Sequence, residues 1–144
     1  MKKINVFIAA AFFTVSLSAQ EVGLQLYSLR NQFKTDVPGT LETIKGWGIT
    51  KIEGGETYGL SLEDFKNLLK TNSLDVVSVG AKFGDLENNA QQVVENAKAY
   101  GAKYVMCAWV PHDNNKWDLE ETKHASVVFN KAGKLLKENG ITLA

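Results

Sequence analysis

Residues Leu74 to Gly80 read "LDVVSVG". The run is β-branched and apolar, with almost no polar alternation. A strand with one wet face alternates; a strand covered on both faces does not. This one therefore belongs in a sheet with helices on its faces. On its N-terminal side, "SLEDFKNLLK" (Ser61 to Lys70) puts Leu62, Phe65, Leu68 and Leu69 on one helical face. On its C-terminal side, "NNAQQVVENAKAYG" (Asn88 to Gly101) does the same with Ala90, Val93, Val94 and Ala97.

The beat continues outward. "VGLQLYSL" (Val22 to Leu29) and "ITKIE" (Ile49 to Glu53) read as strands, with a helix over "TLETIKGWG" (Thr40 to Gly48) between them. "AKYVMCAWV" (Ala102 to Val110) is a fourth strand. "DLEETKHASVVFNKAGKLLKENG" (Asp118 to Gly140) carries Ala125, Val128, Phe129, Ala132, Leu135 and Leu136 on one stripe, and a fifth strand opens at Ile141. Ser61 to Asp64 has capping-box spacing, with Leu60 and Phe65 placed as a hydrophobic staple, and Asp118 to Glu121 repeats the box. Gly48, Gly101 and Gly140 follow helices, where glycine enters the left-handed region cheaply. Four strand–helix units and a fifth strand fit an open doubly wound sheet or part of a (β/α)8 barrel. No strand runs into a G-x-G-x-x-G or P-loop pattern, which removes support for nucleotide binding. "GDLENN" and "EGGETYG" read only as turns.

The 144 residues suit one domain, 44% hydrophobic and 22% charged. With 16 basic and 16 acidic side chains, the chain has no net field to draw it onto nucleic acid or anionic lipid. "MKKINVFIAAAFFTVSLSAQ" has the basic start, apolar core and small-residue end of a secretory signal peptide. The expected division is a signal peptide over 1–18, cleaved after Ser18 or Ala19, and a domain over 19–144. Export to a bacterial periplasm, with no stable membrane anchor after cleavage, is the expectation. Cys107 is the sole cysteine, so no internal disulfide can form; within "YVMCAWV" it reads as a small buried core residue.

In parallel α/β folds, function gathers at the C-terminal ends of strands. Strand one ends with Gln25, Tyr27 and Arg30, and strand two with Glu53, Glu56 and Tyr58. Strand three ends with Lys82 and Asp85, and strand four with Trp109, His112, Asp113 and Trp117. Rings beside hydrogen-bonding edges suit a sugar, whose C–H faces stack while its hydroxyls need partners. Gln25 and Tyr27 alternate with Leu24 and Leu26 and so share one strand face. Gly54-Gly55 permits close approach of a backbone or ligand beside Glu53. His124 reads as solvent-facing, Lys82 as solvated and Trp47 as packing.

"GLQLYSLR", "KIEGG", "GLSLEDFKNLL", "LDVVSVG" and "GAKYVMCAWVPH", in that order, resemble the N-terminal half of the sugar phosphate isomerase/epimerase family, the xylose isomerase-like TIM barrels. The resemblance covers residues 23 to 144. It implies a partial (β/α)8 barrel of about four βα units plus the start of strand five. It also implies a divalent metal (Mn, Mg, Co or Zn) and a small carbohydrate substrate in the complete protein. There the metal would polarise oxygens while acidic groups relay protons. The family's usual ligands stand on strands five to eight, so none is expected here: the chain reads as an inactive fragment of a longer parent. A substrate wall carries over to Gln25, Tyr27, Glu53, Trp109 and His112. The histidine that many relatives place after strand three falls at Gly80, a departure from ordinary ketose epimerases. Two other readings share the fold: a non-catalytic carbohydrate-binding barrel and a metal-dependent keto-glycoside lyase or hydratase. A DNA-repair branch also exists, but export and charge balance disfavour it. Open edges at strands one and five would permit a homo-oligomer of half-barrels.

Overall fold

A computed structural model describes residues 21–113, 116 and 118–144. The signal-peptide expectation and Trp117 lie outside the described residues. Five strands form one parallel sheet: β1 (Gly23–Gln25), β2 (Lys51–Gly54), β3 (Asp75–Gly80), β4 (Tyr104–Met106) and β5 (Thr142–Leu143). Their order in space is their order in sequence, and every neighbouring pair is parallel. A doubly wound sheet reverses direction at a switch point. This sheet never does, so it is an unclosed arc of a (β/α)8 barrel.

The helices are α1 (Arg30–Phe33), α2 (Val37–Gly46), α3 (Leu62–Thr71), α4 (Phe83–Asn88), α5 (Ala90–Tyr100) and α6 (Leu119–Glu138). They cover one side of the sheet, where Ile52, Val79, Val94, Val105, Ala132 and Leu136 are fully buried. Burying each of the larger aliphatics contributes about 1.5–3 kcal/mol. The side chains of Leu24, Ile52 and Val76 share one register row of this outer face, and those of Val79, Val105 and Leu143 another. Val76 and Val79 are three apart yet both point outward. A bulge explains it: Glu53 pairs with Ser78, not Val77, so Val77 is the extra residue and the alternation restarts beyond it.

On the inner face one register row runs Gln25, Glu53, Ser78, Tyr104, Thr142. Gln25 ends β1, whereas Tyr104 begins β4. The row therefore descends from the C-terminal mouth to the opposite rim, which is the stagger that barrel geometry requires.

The helix boundaries have local causes. Helix α2 starts three residues before the Thr40 expected from periodicity, because the Asp36 carboxylate accepts the Gly39 N–H at 2.9 Å and Pro38 sits in the first turn. Ser61 caps α3, its Oγ accepting the Asp64 N–H at 3.1 Å. Asp118 and Glu121 form the full reciprocal capping box of α6. Gly48, Gly101 and Gly140 take φ of +75°, +71° and +74°, as their positions after helices demand.

Three expectations are corrected. The first strand stops at Gln25, and Leu26–Leu29 forms a 3-10 turn, because Leu26 and Phe33 both fold into the core. "GDLENN" lies within α4 and is not a turn: Phe83 and Leu86 are a buried pair three apart. Trp47 is 57% exposed, since it caps α2 on the outer rim and does not pack inward.

Candidate functional site

The mouth of the arc is built from the strand ends. Glu53 and Gln25, in register on β2 and β1, meet there: the Gln25 amide donates to the Glu53 carboxylate at 2.6 Å. The following glycines make room beside them. A Cβ on Gly54 would stand 3.2 Å from Leu26 Cδ1. Gly55 has φ of +127°, and its Cβ would stand 3.3 Å from Val79 Cβ. The close approach read from Gly54-Gly55 is thus made by core side chains. It turns the chain sharply after Glu53 and keeps that carboxylate at the rim.

The segment after that turn is pinned by rings. Tyr58 holds φ of +52°, unusual for a non-glycine residue. Its ring stacks on Phe33 at 4.1 Å and 7°, and meets Phe65 edge-on at 5.9 Å. Burial pushes the Tyr58 phenol up to about 12, with the Glu56 and Tyr100 charges adding smaller effects.

Tyr27 is not on the strand face with Gln25. The 3-10 turn carries it outward, 63% exposed, with the Arg30 guanidinium 4.6 Å over its ring and donating to its carbonyl at 3.1 Å. Arg30 is therefore held locally.

Trp109 and His112 come together on the loop after β4. Their rings are 5.8 Å apart at 44°, and Trp109 is 62% exposed. His112 Nδ1 lies 2.7 Å from the Val110 carbonyl, so with the proton on Nδ1 it donates there. Glu121 ties this loop to α6: its carboxylate accepts the Asp113 N–H at 3.0 Å and the Asp118 N–H at 3.1 Å. Four of the five wall residues thus form two groups, Gln25 with Glu53 at β1–β2 and Trp109 with His112 after β4, separated by β3, while Tyr27 stands apart from both.

Cys107 is half-buried and its thiol donates to the Trp109 carbonyl at 3.3 Å. Burial raises its pKa, more than that hydrogen bond lowers it, so it is a poor nucleophile near neutrality. His124 is exposed but not merely solvated: Nε2 pairs with Glu87 at 3.0 Å, linking α6 to α4. Lys82 is exposed at the start of α4. Among the described residues, no three His, Cys, Asp or Glu side chains converge where a metal ion could be held. The described residues of the half-barrel do not by themselves fit a metal.

Sequence reasoning did not single out Asn89, Gln92 and Asn96. They line a cleft of about 530 Å³ with Gly80, Ala81, Asp85 and Val93, at the C-terminal end of β3. Their signal was present, as polar residues on the α5 sequence, but periodicity scores only the apolar stripe.

No family model matches the chain, and no curated protein matches it in sequence. Solved structures do match in fold. A sugar phosphate isomerase/epimerase from Parabacteroides distasonis superposes with a TM-score of 0.71 at 21% identity, over 94% of this chain and 54% of that one. An AP endonuclease, family 2, from Brucella melitensis gives 0.64 at 15%, over 84% and 52%. An IolI protein with a bound zinc atom gives 0.64 at 18%, over 86% and 50%. The fold is that of part of a (β/α)8 TIM barrel. The chain spans about half the length of each of these structures.

Proposed function

We propose that this chain forms the substrate-wall half of an exported sugar isomerase or epimerase of the xylose isomerase type. The observation that carries the reading is the Gln25–Glu53 pair, held at 2.6 Å at the mouth of a parallel arc whose strands follow sequence order. A carboxylate oriented by an amide can accept a sugar hydroxyl, and the amide's second N–H and its carbonyl remain to serve another. Trp109 and His112 across β3 offer a stacking face and a polar edge. The fold shared with a sugar phosphate isomerase/epimerase supports the reaction class. The zinc of the IolI protein supports a divalent metal in the closed barrel, however its second wall is supplied. When bound, such an ion would polarise the carbonyl and hydroxyl oxygens of the sugar. Glu53 and Gln25 would bind and orient hydroxyls.

The Gln25 side-chain amide reports the site directly. The ¹⁵N-labelled chain would be titrated with neutral ketoses and aldoses while that NH₂ signal is followed by NMR. Binding in the millimolar range, on the order of −4 kcal/mol, is expected for an open wall. Glu53→Gln should weaken it. The reading fails if no sugar moves the Gln25 signal, or if Glu53→Gln binds equally well. Export is tested separately: N-terminal sequencing of secreted protein should begin at Ala19 or Gln20.

A further inference from the structure

The cleft beside β3 is more polar than a packing defect should be. Its wall holds the Asp85 carboxylate and three primary amides, Asn89, Gln92 and Asn96. None of these four side chains is engaged in a hydrogen bond within the described residues, although Asp85 and Asn96 are half-buried. Each amide offers two N–H donors and a carbonyl acceptor, the mixed set that vicinal hydroxyls require. Gly80 and Ala81 leave the space open, and Val93 supplies a buried apolar floor. The cleft lies at the rim of β2 and β3, toward the helix side of the sheet. Gly80 is two residues beyond Ser78, the register partner of Glu53, and a Cβ on Gly55 would stand 3.6 Å from Asn96 Nδ2.

Charge narrows the ligand. The lining contains one carboxylate and no lysine, arginine or histidine. A phosphoryl group would meet repulsion and find no cation. Arg30, which could otherwise reach an anion at the mouth, is held on Tyr27.

We propose that Asp85, Asn89, Gln92 and Asn96 form a second sugar contact, at the rim of β3, that takes a neutral, unphosphorylated polyhydroxyl group. This inference rests on the sugar reading above for its ligand class and adds a subsite and a charge preference to it.

The side-chain NH₂ signals of Asn89, Gln92 and Asn96 test it in the labelled chain. The probes are glucose, fructose, maltose, cellobiose, glucose 6-phosphate and fructose 6-phosphate. At least one neutral sugar should shift the Gln92 and Asn96 signals, with each phosphate binding there more weakly than its parent sugar. Asn96→Ala should reduce affinity at Gln92 by about three- to tenfold while the Gln25 shifts persist; a backbone spectrum checks that the fold is intact. The subsite is overturned if no neutral sugar moves these signals, if the phosphates bind there at least as tightly, or if Asn96→Ala changes nothing at Gln92. The two proposals fail separately: a silent Gln25 signal overturns the Gln25–Glu53 contact, and silent Asn96 and Gln92 signals beside a responsive Gln25 overturn only the subsite.

Discussion

Replacing Glu121 with alanine should loosen the loop that presents Trp109 and His112. The Glu121 carboxylate accepts two backbone N–H groups, from Asp113 at 3.0 Å and Asp118 at 3.1 Å. The Asp118 bond closes the capping box of α6, and the Asp113 bond ties the loop to that helix. Both sites are exposed enough for water to replace the lost acceptor, so each bond contributes about 0.5–1 kcal/mol. Glu121→Ala should therefore cost about 1–2 kcal/mol in total, and Glu121→Gln, which keeps one carbonyl acceptor, roughly half of that. Amide hydrogen exchange at Asp113 and Asp118 reads the local effect. Losing one such bond corresponds to exchange about 2- to 5-fold faster at each of those two amides. Urea unfolding should show the smaller global loss. If both amides exchange at the wild-type rate in Glu121→Ala, the carboxylate does not hold the loop and the reasoning is wrong.

Three further outcomes are expected. Ile52→Ala removes a fully buried side chain at the centre of β2 and should cost about 2–5 kcal/mol, visible as lost helical circular dichroism at a lower temperature; an unchanged melting curve would contradict the assigned core. Gly55→Ala forces a Cβ to 3.3 Å from Val79 Cβ at φ of +127° and should destabilise by about 1–3 kcal/mol, whereas Gly84→Ala, with nothing within 4 Å, should not; equal melting temperatures for the two variants would refute this. Tyr58 should make the fold sensitive to alkali. Its folded pKa of about 12 lies above the ordinary phenol value of 10.0, so its contribution is complete below pH 10 and is lost as pH rises through 12. Screening of the half-buried ring reduces the loss to on the order of 1–2 kcal/mol, and urea midpoints compared near neutrality and near pH 12 should show it shrinking in Tyr58→Phe.

Much of this architecture was readable from residues 22–144, because the apolar periods of α3, α5 and α6 and the unalternating β3 run are direct products of burial. What misled was local competition. "VGLQLYSL" looks like one strand by propensity, but Leu26 and Phe33 gain more by folding into the core than Tyr27 would by staying in the sheet. "GDLENN" hides a helix because only Phe83 and Leu86 mark it, too few positions for a period. The site divided in the same way. Glu53 and Gln25 were legible as strand ends, and their register brings them together. The polar side of the β3 cleft was not, since Asn89, Gln92 and Asn96 leave no mark on an apolar pattern. The choice between barrel and open sheet rests on strand order, a long-range property that no window of sequence carries.

The bulge at Val77 sets a rule for comparing this chain with its structural neighbours. Below it, even-numbered β3 positions face the helices; above it, odd-numbered ones do. A relative that lacks the bulge, aligned without a gap across residues 76–78, would have its parity inverted, and its pocket residues would be written onto the wrong side of the strand. Assigning a counterpart to Gly80 therefore depends on whether that relative has the same extra residue. Deleting Val77 would remove the bulge and leave the facing unchanged: Val76 and Val79 would still meet the helices and Ser78 and Gly80 the barrel interior, with the alternation now unbroken.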